Sequence, residues 1–195
     1  MKSTARPFLF AVALAGALVA APGCSSPPAG EEAAHHAHAD AWSAVTRAVC
    51  VISPTEGNQA RGVVTFTQSA EGVQVVADVE GLTPGQKHGF HIHEWGDVTG
   101  ADGKAAGGHY NPDGHDHAGP DTAMRHAGDL GNLTADESGK AHLELTLENA
   151  SVAGLLNPIV GRGMIVHAGT DDLQSQPTGD AGGRIGQGVI GVAKP

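Results

Sequence analysis

The chain has only two cysteines in 195 residues, Cys24 and Cys50, so at most one intrachain disulfide is available to it. Basic residues are also scarce, 11 against 21 acidic ones, and a formal net charge of −10 excludes the basic face that nucleic acid requires. No apolar run is long enough for a comfortable transmembrane helix, the best being Phe8–Ala20. Aromatics make up 4% of the residues, and signals for long helices are few. Glycine, in contrast, occurs 29 times, and Val, Thr and Leu fall in short runs. That pattern favours an all-β barrel or sandwich over a helical bundle. The length suits one domain of about 150 residues with extensions.

The N-terminus reads as an export signal. Lys2 and Arg6 form a charged region, Phe8–Ala20 an apolar one, and Ala21-Pro22-Gly23-Cys24 the end of the leader. Gly23 before Cys24, with Ser25-Ser26 after it, resembles a bacterial lipoprotein cleavage site. The expectation is a signal peptide over 1–23, a lipid anchor in the membrane on Cys24, and a membrane-bound protein of the cell envelope or periplasm. Removing the leader takes away Lys2 and Arg6 and no acid, leaving 9 basic residues against 21 acidic ones, a formal −12. Residues 24–45 mix Pro, Ala, Glu and His with almost nothing to bury, which predicts a disordered tether. His35, His36, His38 and Asp40 lie in it, a cluster as consistent with a solvated linker as with metal capture. Cys50 sits in the apolar run Ala48–Ile52 and is expected to be a buried small hydrophobe. With Cys24 acylated, no intrachain disulfide remains possible.

The domain is predicted over 46–195. Alternation and turn signals predict eight strands: Arg47–Ser53, Gly62–Gln68, Val73–Glu80, His88–Glu94, Asp129–Thr134, Ala141–Glu148, Met164–Ala168 and Gly188–Ala193. The expected fold is an eight-stranded Greek-key β-barrel of Ig-like sandwich architecture. Two connections, 95–128 and 169–187, exceed the usual loop length, and loops of that size in a compact domain are usually functional or disordered.

Six histidines and one aspartate stand out: His91, His93, His109, His117, His126, Asp129 and His167. They lie in GFHIHEWGD, GGHYNP, HDHAGP, RHAGDLGN and IVHAG. Histidine is the commonest metal ligand, and imidazole suits copper and zinc. His91 and His93, two apart on a strand, project from one face and can close on one ion. The set is too large for one metal and the right size for two that share a ligand.

With these motifs in order, the chain from about Val49 to Ala193 resembles the copper/zinc superoxide dismutases. The resemblance implies one copper and one zinc per subunit. Copper is expected on His91, His93, His109 and His167, and zinc on His109, His117, His126 and Asp129. His109 would bridge the two as an imidazolate, and a closed site of three His and one Asp reads as structural. The implied reaction is dismutation of superoxide to dioxygen and hydrogen peroxide, protecting the cell envelope, with His109 as ligand and proton carrier. Asp171 matches a carboxylate that links a copper His to a zinc His. Arg184 matches an arginine that attracts and orients the anion, the local positive feature an acidic protein needs for an anionic substrate. The family disulfide ties the metal-site loop to the last strand; the corresponding places here are the Gly100–Gly108 stretch and Gln187. The stretch between Leu173 and Gly179 is short, like that of bacterial members, which weakens steering by loop charges. His88 and His142 match no role, and His115 is surplus. A homodimer is compatible with the resemblance, without a fixed face. The competing reading is a non-catalytic copper-binding or copper-delivery protein on the same barrel; such proteins lose a copper ligand or the arginine, and this chain keeps them.

Overall fold

The computed structural model describes Trp42 and residues 44–194. Cys24, the leader and the His35–Asp40 cluster lie outside the described residues. Eight strands follow in chain order: β1 Arg47–Pro54, β2 Arg61–Gln68, β3 Val73–Glu80, β4 Lys87–His93, β5 Asp129–Thr134, β6 Lys140–Leu147, β7 Gly163–His167 and β8 Arg184–Val192. All strand pairs are antiparallel, in the order β5-β4-β7-β8-β1-β2-β3-β6. β5 and β6, at the two ends of that order, approach one another, so the sheet is nearly closed into a barrel. The expected all-β barrel is what the chain forms.

Strand burial explains where the site can lie. In β3, Val73, Val75, Ala77 and Val79 face the core while their neighbours face outwards, as half-buried strands require. β4 and β7 are different, being buried on both faces along almost their whole length. Their inner faces carry Phe90, Ile92, Met164 and Val166, with Phe90 opposite Val166 and Ile92 opposite Met164. Their outer faces carry His91, His93, Ile165 and His167. These are buried because the two long loops fold over that side of the barrel.

One predicted boundary is off by more than a single residue. The last strand begins at Arg184, four residues before the expected Gly188, so the second long loop ends earlier. Gly186 and Gly188 hid it, having no side chains to alternate. A side chain at Gly186 would begin 2.9 Å from Ile52 Cγ2, and one at Gly188 would begin 2.5 Å from Cys50 Sγ. Large neighbours on β1 fill the core there, so β8 must be thin.

Candidate metal centre

Four adjacent strands set out most of the site. Asp129 on β5 pairs with His91 on β4, β4 pairs with β7, and His167 on β7 pairs with Arg184 on β8. Cross-strand partners on one face lie about 5 Å apart. The register therefore lines up Asp129, His91, His167 and Arg184 across one outer face. His93 stands opposite Gly163, where a side chain would begin 2.4 Å from Trp95 O, so the start of the first long loop packs against β7 there. His109 joins from the first long loop through a bridge to His93.

Two clusters result. The ligating atoms of His91, His93, His109 and His167 lie within 4.8 Å of one another, and so do those of His109, His117, His126 and Asp129. All seven residues are buried. Every predicted ligand is thus brought into its expected group, while His115 and His142 fall outside both.

In the first cluster each ring is held by one nitrogen and free at the other. His91 Nε2 meets Asp171 Oδ2 at 2.8 Å, His93 Nδ1 donates to Gly107 O at 3.0 Å, and His167 Nδ1 donates to Gly182 O at 3.1 Å. His109 Nδ1 meets Asp129 Oδ1 at 2.9 Å. The other four nitrogens, His91 Nδ1, His93 Nε2, His109 Nε2 and His167 Nε2, are buried without a hydrogen-bond partner among the described residues. Buried polar atoms are seldom left so, and four converging on one point fit a metal ion that prefers nitrogen donors, such as copper.

In the second cluster Asp129 Oδ1 is 2.9 Å from His109 Nδ1, 2.9 Å from His117 Nδ1 and 3.3 Å from His126 Nδ1. His126 Nδ1 and His109 Nδ1 are 3.4 Å apart. A tetrahedral zinc with bonds of about 2.0–2.1 Å would have edges of roughly 3.3 Å. Three nitrogens and one carboxylate oxygen at these separations fit that ion, with no ligand place left open. Asp129 Oδ2 accepts from the backbone N–H of Ala118 and His126, which fixes the carboxylate.

Asp171 joins the clusters, since its Oδ1 lies 2.9 Å from His117 Nε2 while Oδ2 holds His91. Asn132 grips its backbone twice, accepting from Asp171 N at 2.8 Å and donating to Asp171 O at 2.9 Å. Gly179, in the left-handed region at φ 68°, closes the second loop over this carboxylate. A side chain there would begin 1.8 Å from Asp171 Oδ1.

Electrostatics separate the two groups. Burial, with smaller repulsive contributions from neighbouring rings, lowers His91 and His93, His109 to about 4 and His167 to about 3. His117 is also buried, but hydrogen bonds to Asp129 and Asp171 outweigh that and raise it to about 9. Asp171 and Asp129 are held well below the usual carboxylate range, burial being outweighed by their histidine partners.

Arg184 is half-buried, and burial lowers its pKa without removing its charge. Its Nη1 donates to Gly103 O and its Nη2 to Gly107 O, both at 2.6 Å. Gly107 O also receives His93 Nδ1, so arginine and first cluster share one carbonyl. Gly103, at φ 74°, packs against this arginine, and a side chain there would begin 3.2 Å from Arg184 Cβ. Nearby, Gln187 Nε2 donates to Gly100 O at 3.0 Å, a hydrogen bond where the family places its disulfide. Cys50 is free and buried, and burial raises its thiol to about 12.

His88 was not assigned a role from the sequence. It is fully buried, with Nδ1 donating to His167 O at 2.8 Å and Nε2 accepting from Thr83 N at 3.2 Å. It props the backbone of a first-cluster residue. Strand parity could have found it, since positions 88, 90 and 92 share the inner face.

The fold and the joined clusters define a β-barrel protein able to hold two metal ions one histidine apart. Residues 60–190 match the family model for copper/zinc superoxide dismutase (SODC). A Cu-Zn superoxide dismutase of Paramecium bursaria Chlorella virus 1 is 46% identical over 157 residues, covering 77% of this chain and 82% of the relative. An extracellular Cu-Zn superoxide dismutase of Drosophila melanogaster is 47% identical over 146 residues, covering 71% of this chain and 79% of the relative. The crystal structure of the clock protein EA4 is also similar, with a TM-score of 0.68 and 40% identity, covering 76% of this chain and 95% of that one. The chain belongs to the copper/zinc superoxide dismutase family.

Proposed function

We infer that the protein is an oxidoreductase that converts superoxide to dioxygen and hydrogen peroxide with bound copper and zinc. The carrying observation is the convergence of four unpartnered buried ring nitrogens beside a charged arginine. His91 Nδ1 and the Nε2 atoms of His93, His109 and His167 would hold copper. His109 Nδ1, His117 Nδ1, His126 Nδ1 and Asp129 Oδ1 would hold zinc. Copper, when bound, supplies one-electron oxidation of one superoxide and one-electron reduction of another, the second taking up two protons.

The chain's residues supply the rest. Arg184 uses two N–H groups on Gly103 O and Gly107 O, which aims the guanidinium and leaves further donors for an anion. Its charge acts locally in a chain whose overall field repels superoxide. His109 is held at Nδ1 by the second cluster, so its Nε2 can take up a proton and return it without the ring turning. Asp171 holds His91 and His117 by their outer nitrogens, which keeps the geometry of one cluster tied to the other.

The charged and apolar leader and the Gly23-Cys24 junction support export and lipid attachment at Cys24, with residues 24–45 as tether and 46–195 as the working domain. The central experiment is metal analysis with superoxide turnover on the purified protein. One copper and one zinc per chain with rapid turnover is the expected result. Copper bound without turnover would instead establish the non-catalytic carrier.

A further inference from the structure

His117 is the member of the second cluster with the least backbone support. Asp129 lies on β5, His109 is bridged to His93, and His126 has its N–H capped by Asp129. No backbone–backbone hydrogen bond holds His117 among the described residues. Gln176, in the other long loop, supplies the support instead. Its Oε1 accepts from His117 N at 2.8 Å, and its Nε2 donates to His117 O at 2.8 Å. Nε2 also donates to Gln174 O at 3.1 Å, so both amide hydrogens are engaged.

A primary amide here does what a neighbouring strand does, pairing with the N–H and C=O of one residue. The two bonds fix the peptide planes on either side of His117 and hence the direction of its Cα–Cβ bond. The ring is then pinned at both ends, Nδ1 at Asp129 and Nε2 at Asp171. Leu173 adds a packing contact beside this pairing, its Cδ1 lying 3.2 Å from where a side chain at Gly119 would begin. Gln176 is itself exposed and belongs to neither cluster.

We propose that Gln176 is a positioning residue for the zinc half of the centre, holding His117 so that Nδ1 faces Asp129, and that its loss releases zinc selectively. This rests on the reading of His117 as a zinc ligand. Partners behind metal ligands commonly contribute about 10- to 100-fold in metal affinity. In the copper- and zinc-loaded protein, Gln176→Met keeps the side-chain length and removes both bonds. It should speed zinc transfer to a chelator by about 10- to 100-fold. Gln176→Glu keeps the acceptor for His117 N–H, loses the donor to His117 O, and should fall in between. Copper release, followed in the same samples, should keep its wild-type rate, because general loosening of the fold would speed both. Equal acceleration of copper and zinc loss overturns the proposal. Wild-type zinc release from Gln176→Met also overturns it, and His117→Ala shows where the fault lies. If His117→Ala loses zinc, the ligand reading stands and only the positioning role falls. If His117→Ala retains zinc, the ligand reading itself has failed.

Discussion

The two halves of the metal centre share His109 yet are built on opposite principles. The half proposed to hold copper takes three of its four rings from β4 and β7, with one strand-borne arginine opposite His167. Its rings are neutral at pH 7 because burial lowers them, and four of their nitrogens find no partner among the described residues. The zinc half takes three of its four residues from the first long loop and organises itself around one carboxylate. There His117 is raised to about 9, so zinc must displace its proton on binding. Strands hold the cluster proposed to bind copper, and an internally bonded loop holds the one proposed to bind zinc.

The comparison breaks most visibly in the copper half. His167→Ala should reduce dismutation to background while zinc stays bound, since Asp129 and its partners are untouched. Turnover with metal analysis checks this, and near-normal turnover would remove His167 from the site. Asp129→Ala should release zinc and lower stability by about 3–5 kcal/mol, because it leaves buried groups without their charged partner. Thermal unfolding and zinc content read that effect, and unchanged zinc would contradict the assignment. Arg184→Ile should lower the second-order rate with superoxide about 10- to 100-fold, the scale of one lost charge-assisted hydrogen bond, with copper content unchanged. Arg184→Lys should be milder, keeping the charge but not the planar fork.

A pH series sharpens the contrast in the metal-free protein. His109 and His167 have folded values of about 4 and about 3 against an ordinary 6.5. Below 6.5 the unfolded chain therefore binds protons that the folded one refuses, and stability falls as pH drops through that window. The melting temperature should be lower at pH 5 than at pH 7 by roughly 10 °C. His117 works in the other sense: its contribution is full below 6.5 and is lost as pH rises through about 9. A flat profile from pH 5 to 7 would refute the buried-neutral description. The smallest effect expected is none: thiol reductant should leave the melting temperature of the metal-loaded protein unchanged, since Cys50 is free and buried.

Much of this was legible in the sequence, for definite reasons. The seven residues of the two clusters could be read because metal chemistry restricts which residue types serve, and strand parity put His91 and His93 together. β3 and β6 showed themselves by alternation. Arg184 was recognised but placed in a loop, because glycines at 186 and 188 erase the alternation that marks a strand. Asn132 and Gln176 could not be assigned, and for His88 strand parity marks the burial but not the partner. Each acts by hydrogen bonds to the backbone of a distant residue, and such bonds leave no periodic trace in the chain.

The hydrogen bond from Gln187 to Gly100 bears on how the protein matures. A covalent staple at this place would make a finished loop depend on an oxidant and on the order in which it meets the chain. Hydrogen bonds from Gln187 and Arg184 need neither, so this loop is closed over the first cluster without an oxidant. Closure of this loop is accordingly indifferent to the thiol balance around the protein.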